Sequence, residues 1–132
     1  MANVSVSPAL TFGMPGHLRP LLAPIVAGVL SGGILLFGLS PRVPSLFRKV
    51  SDKVVHGVAY AALSFTSAEA LAVLRWGPSP PGGALVYAVA HGALLEAMQS
   101  YTPRRRAEWG DLAADFAGAL AGVTVWWLWR RR

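Results

Sequence analysis

The chain has 132 residues, of which 54% are hydrophobic and 14% charged, and its 12 Lys and Arg against 6 Asp and Glu give a formal net charge of +6. A charged share so far below the roughly one quarter usual for globular domains leaves too little polar surface for water and points to lipid as the solvent. The absence of cysteine excludes disulfide and thiolate chemistry, and the basic residues flank apolar runs instead of lining one helix face, which excludes nucleic acid as a partner.

Residues 1–17 have neither a basic start nor a compact apolar core, so they are expected to form a flexible N-terminal tail and not a cleaved signal peptide. The remainder, 18–132, reads as one transmembrane domain without internal repeats. Its first apolar run, from about Pro20 to Leu39 (PLLAPIVAGVLSGGILLFGL), carries no charge. At about 1.5 Å per helical residue it is long enough for a hydrocarbon core of about 30 Å. The second run, from about Lys53 to Leu74, contains His56 and Glu69. The third, from about Gly83 to Gln99, is shorter and holds His91, Glu96 and Gln99. The fourth starts near Asp111, carries Asp115 one turn in, and ends in VWWLWRRR. Tryptophans followed by arginines mark a membrane interface. The connectors SPRVPSLFRKVS and RWGPSPPGG are short and rich in helix breakers. The expected fold is therefore all-α, a compact antiparallel bundle of four transmembrane helices with both termini on one side.

Helical spacing sorts the polar residues into stripes. Asp52, His56 and Tyr60 follow at i, i+4 and i+8; Glu96 and Gln99 share a face; Asp111, Asp115, Gly118 and Gly122 share another. The small-residue face of the fourth helix allows close approach and should turn Asp115 into the bundle. All three stripes fall at one membrane side. His91, five residues before Glu96, is expected to pack elsewhere, with no metal role, and Glu69 is expected to snorkel at the opposite interface.

The stretches DKVVHGVAYAAL and LLEAMQSYTPRRRAEWGDLAADFAGALAG resemble the two signatures of VanZ-like bacterial membrane proteins, over roughly Asp52 to Gly122. The resemblance carries Asp52, Lys53, His56, Tyr60, Glu96, Gln99, Arg105, Asp111 and Asp115 onto the family pattern. Arg104 departs from it, standing where many relatives have glycine, so Arg104, Arg105 and Arg106 remain alternatives for the family's arginine. The family takes its name from a protein linked to resistance to teicoplanin, a glycopeptide acting on lipid-linked cell-wall precursors. No settled activity defines it.

Together these readings give a multi-pass protein of the bacterial inner membrane whose polar residues form one headgroup site. Lys53, Arg105, Gln99 and Tyr60 are the candidates for lipid or phosphate binding, since a guanidinium offers planar donors to phosphate oxygens. His56, Glu96 and Asp111 are the candidate acid–base groups, and Asp52 and Asp115 support the cluster. The expected partners are membrane lipids, with a lipid-linked cell-wall precursor or an amphipathic drug as ligand. No metal and no cofactor are expected. The competing readings are a membrane enzyme acting on a lipid phosphate and a cluster that only holds the helices together. Basic residues count seven on the side of the polar turn and five on the side of the termini. Setting Lys53 and Arg105 aside as site residues levels the count, and the terminal arginine cluster then places the termini in the cytoplasm.

Overall fold

The computed structural model describes residues 18–41, 50–102 and 108–132. The expected N-terminal tail and the Arg104, Arg105 and Arg106 turn lie outside the described residues. Among those described there is no strand and there are four helices: α1 (Arg19–Leu39), α2 (Asp52–Leu74), α3 (Pro80–Ser100) and α4 (Trp109–Arg130). Local chemistry explains several ends. Pro80 and Pro81 open α3, where a missing backbone N–H costs nothing, and the Ser79 hydroxyl accepts from the Gly82 N–H at 3.3 Å. Asp111 in the first turn and Arg130 in the last complement the dipole of α4.

Three helices, α1, α2 and α4, are long and apolar enough to cross a membrane. α3 has 21 residues and matches them in length, but Pro80, Pro81, Gly82, Gly83, His91, Glu96 and Gln99 dilute its apolar character. The expectation of four spans is thus met by length and composition in three.

The helices pack into one bundle, with α2 in contact with each of the others. Along the α2–α4 interface residue numbers rise together: Lys53 meets Asp111, His56 meets Asp115, Ser64 meets Ala119 and Glu69 meets Trp126. Between α2 and α3 they run in opposite order, with Tyr60 at His91 and Leu71 at Gly83. Close approach of α2 and α4 depends on glycine. A Cβ on Gly118 would collide with the Gly57 carbonyl, and one on Gly122 with the Ala61 carbonyl and the Ser64 hydroxyl.

Polarity is arranged inside out relative to a water-soluble bundle. His56, Glu69, His91, Glu96, Gln99, Asp111 and Asp115 are all buried, whereas Val29, Leu36, Val58, Val86, Leu120 and Val125 are exposed. An apolar exterior around a polar interior suits lipid, where ionisable groups turn inward to partners.

Candidate functional site

The start of α2, the end of α3 and the start of α4 converge. His56, on the second turn of α2, lies with Nδ1 2.7 Å from Oδ1 of Asp115 on α4. Because a carboxylate only accepts, Nδ1–H of His56 is the donor. One turn further, fully buried Tyr60 places its hydroxyl 2.9 Å from Nδ1 of His91, whose Nε2 lies 3.2 Å from the Ser31 carbonyl. A neutral His91 with its proton on Nε2 satisfies both contacts: Nε2–H donates to Ser31 and Nδ1 accepts from Tyr60. The Ser31 hydroxyl also meets the Tyr87 hydroxyl at 2.6 Å. A polar line thus links α1, α3 and α2.

Glu96 ties α3 to the start of α4, its Oε2 accepting from the backbone N–H of Glu108 at 2.9 Å. Glu108 is the residue that precedes α4. Its backbone N–H is therefore capped by a side chain from another helix. Lys53 bridges the outer edge, with Nζ 3.2 Å from Asp111 Oδ1 and 3.3 Å from Glu108 Oε2. Asp52 is exposed at the rim. Gln99, expected beside Glu96 as a ligand contact, donates to the Gly38 carbonyl at 2.9 Å and ties the end of α3 to the end of α1.

Two carboxylate oxygens in this cluster, Glu96 Oε1 and Asp115 Oδ2, are buried without a hydrogen-bond partner among the described residues. Such groups are uncommon because desolvation is not offset, at a cost of roughly 1–3 kcal/mol or more for a charged group. One nitrogen of His56 and one oxygen each of Glu96 and Asp115 lie within 4.8 Å of one another. Asp52, His56 and Asp111 form a second set of the same kind, more exposed. Gly92 leaves the room for this packing, since a Cβ there would stand 2.9 Å from Asp115 Oδ2.

A cleft between α3 and α4 borders the cluster at Asp115. Its volume is about 390 Å³, and Val89, Ala93, Trp109, Leu112 and Phe116 wall it, with Asp115 also in the lining. A larger cavity of about 580 Å³ lies toward the other end of the bundle, lined among others by Leu71, Leu74 and Trp76 from α2 and its exit, and by Tyr87. Among its described lining residues there is no acidic or basic side chain.

Two expectations need correction. Glu69 does not snorkel: it is 3% exposed and sits in a closed clasp, accepting from Trp126 Nε1 at 2.8 Å and from Arg130 Nε and Nη2 at 3.1 Å each. The partners lie on α4, 57 and 61 residues away, which the α2 sequence does not reveal. His91 does not pack away from the polar residues either. It stands on a different face of α3 from Glu96, yet Tyr60 of α2 reaches it. The signal in the sequence was the presence of a second ionisable side chain in a short apolar run.

Arg105, expected to hold phosphate, lies outside the described residues. His56, Tyr60, Glu96, Asp111, Asp115 and Lys53 are brought together, and Glu108 and Ser31 join them. Comparisons with family models, curated proteins and solved structures found no match to this chain.

Proposed function

We propose that the chain is a VanZ-like integral membrane protein of four antiparallel spanning helices. It binds the headgroup of a phosphate-bearing or lipid-linked amphiphile at the junction of α2, α3 and α4. The observation that carries this reading is the pairing of an apolar cleft with a polar end. Val89, Ala93 and Phe116 offer an acyl or prenyl chain a path, and Asp115 at its lining keeps one oxygen without a partner among the described residues. The Glu69 clasp supplies the contrast: there Trp126 and Arg130 bond both carboxylate oxygens. A cluster serving only as glue has no reason to leave two buried acceptors open. The resemblance to VanZ-like signatures adds lipid-linked cell-wall precursors and teicoplanin-type glycopeptides as ligand classes.

The rising α2–α4 numbering and the reversed α2–α3 order support the antiparallel arrangement. The arginines that follow α4 favour termini in the cytoplasm of a bacterial inner membrane, with the polar turn outside. Alkaline phosphatase fused after Arg132 should then be inactive; an active fusion would reverse the orientation.

The His56–Asp115 contact favours a second reading, in which an oriented imidazole moves a proton on a lipid phosphate with Glu96 or Asp111. Release of phosphate from a polyprenyl phosphate by purified protein would establish it. The binding reading is tested by native mass spectrometry with the same lipid. Wild-type protein should retain it, and Ala93→Trp, which fills the cleft from an exposed position, should not. Equal retention by both proteins would remove the cleft from the account.

A further inference from the structure

We propose that His56, Glu96 and Asp115 bind a divalent transition cation, of the Mn²⁺ or Zn²⁺ type, where α2, α3 and α4 meet. Each side chain offers one donor atom within 4.8 Å of the others. Around an ion with bonds of about 2.1 Å, donors stand about 3 Å apart when adjacent and about 4.2 Å when opposite, so only a small contraction is needed. The two orphaned oxygens supply the independent pointer, because Glu96 is 7% and Asp115 1% exposed and each keeps one oxygen without a donor among the described residues. A proton on either acid would not settle this: the resulting hydroxyl would need an acceptor, and no hydrogen bond joins Glu96 Oε1 to Asp115 Oδ2. A cation satisfies both at once.

Charge argues the same way. Asp52, Glu96, Glu108, Asp111 and Asp115 gather at this junction, and Lys53 is the only lysine or arginine bonded to them among the described residues. Mixed imidazole and carboxylate donors suit Mn²⁺ or Zn²⁺, whereas Ca²⁺ and Mg²⁺ sites are built from oxygen alone. Resting on the headgroup reading, the ion has a further use. Positions of its coordination sphere not filled by the protein take phosphate oxygens, which bare carboxylates would repel.

The test uses the full chain in detergent, stripped with a chelator and titrated with Mn²⁺ alone. Electron paramagnetic resonance should report one ion per chain, with pulsed spectra showing coupling to one imidazole nitrogen. Glu96→Gln and His56→Gln should each weaken binding by at least about tenfold, as loss of groups that hold or orient a metal does. Glu69→Gln, in the separate clasp, should bind as wild type. No bound Mn²⁺, bound Mn²⁺ without nitrogen coupling, or equal weakening by Glu69→Gln would overturn the proposal. The coupling in wild type decides even if a variant misfolds. Nitrogen-coupled Mn²⁺ with no retention of polyprenyl phosphate keeps the cation site and removes the headgroup reading. Lipid retention by a chain that binds no Mn²⁺ does the reverse.

Discussion

His56 and Asp115 stand 2.7 Å apart across the α2–α4 interface, and the aspartate gives that contact one oxygen while the other has no partner among the described residues. The contact lies one helical turn from the glycine-lined approach at Gly118, so packing and polarity depend on each other. Asp115→Ala should lower stability in detergent by about 1–2 kcal/mol, the upper range for interhelical polar contacts in membranes. Thermal melting of the purified variant measures this.

Glycines on the two sides of the bundle should respond oppositely. Gly118→Ala and Gly122→Ala push a methyl into backbone of α2 that has no side-chain freedom to yield, so each should lower the melting temperature. The loss should exceed that of Asp115→Ala, because α2 and α4 must separate along their length. Gly32 and Gly33 of α1 have nothing within 4 Å of an added Cβ. Alanine there should be neutral or stabilise by up to about 1 kcal/mol through helix propensity alone.

Glu69 and Arg130 form a clasp between α2 and α4, and its expected role is to hold the two helices together. Glu69→Gln and Arg130→Gln should each destabilise, and a double-mutant cycle should return coupling on the order of 1 kcal/mol. Retention of polyprenyl phosphate at temperatures below the melting transition should not change. A fall in retention equal to that of a cleft-filling variant would mean that the clasp is part of the ligand site.

Tyr60 joins two histidines of different standing. It stacks at 6.5 Å on His56 and bonds His91 through its hydroxyl. Tyr60→Phe keeps the ring and orphans His91 Nδ1, which should cost about 1–3 kcal/mol. Nitrogen coupling to Mn²⁺ should survive in this variant, because His56 retains its Asp115 partner. Loss of the coupling would show that the hydroxyl orders the metal-binding imidazole.

Helix identity was legible in the sequence because apolar runs of spanning length, bounded by proline, glycine and charge, leave few alternatives. The stripe of Asp111, Asp115, Gly118 and Gly122 could be read for the same reason: one helix determines its own faces. What crosses between helices could not. His91 and Glu69 were assigned by their position on single helices, and their partners, Tyr60, Trp126 and Arg130, come from elsewhere. Gln99 shares a face with Glu96 as its spacing requires, but the acceptor it bonds, the Gly38 carbonyl, belongs to α1. Glu108 was missed because its part is played by a backbone N–H, which no residue type announces.

Glu96→Gln decides most directly whether the junction of α2, α3 and α4 is a site or a clasp. The substitution keeps an acceptor oxygen for the Glu108 N–H and replaces the other oxygen with an uncharged NH2 donor. Melting and polyprenyl phosphate retention should be measured on the same sample. A site requires retention to fall at least about tenfold, as for loss of a metal-holding group, while the protein stays monodisperse and melts within a few degrees of wild type. A large fall in melting temperature with unchanged retention would contradict it and leave the polar residues as structural bonds between helices.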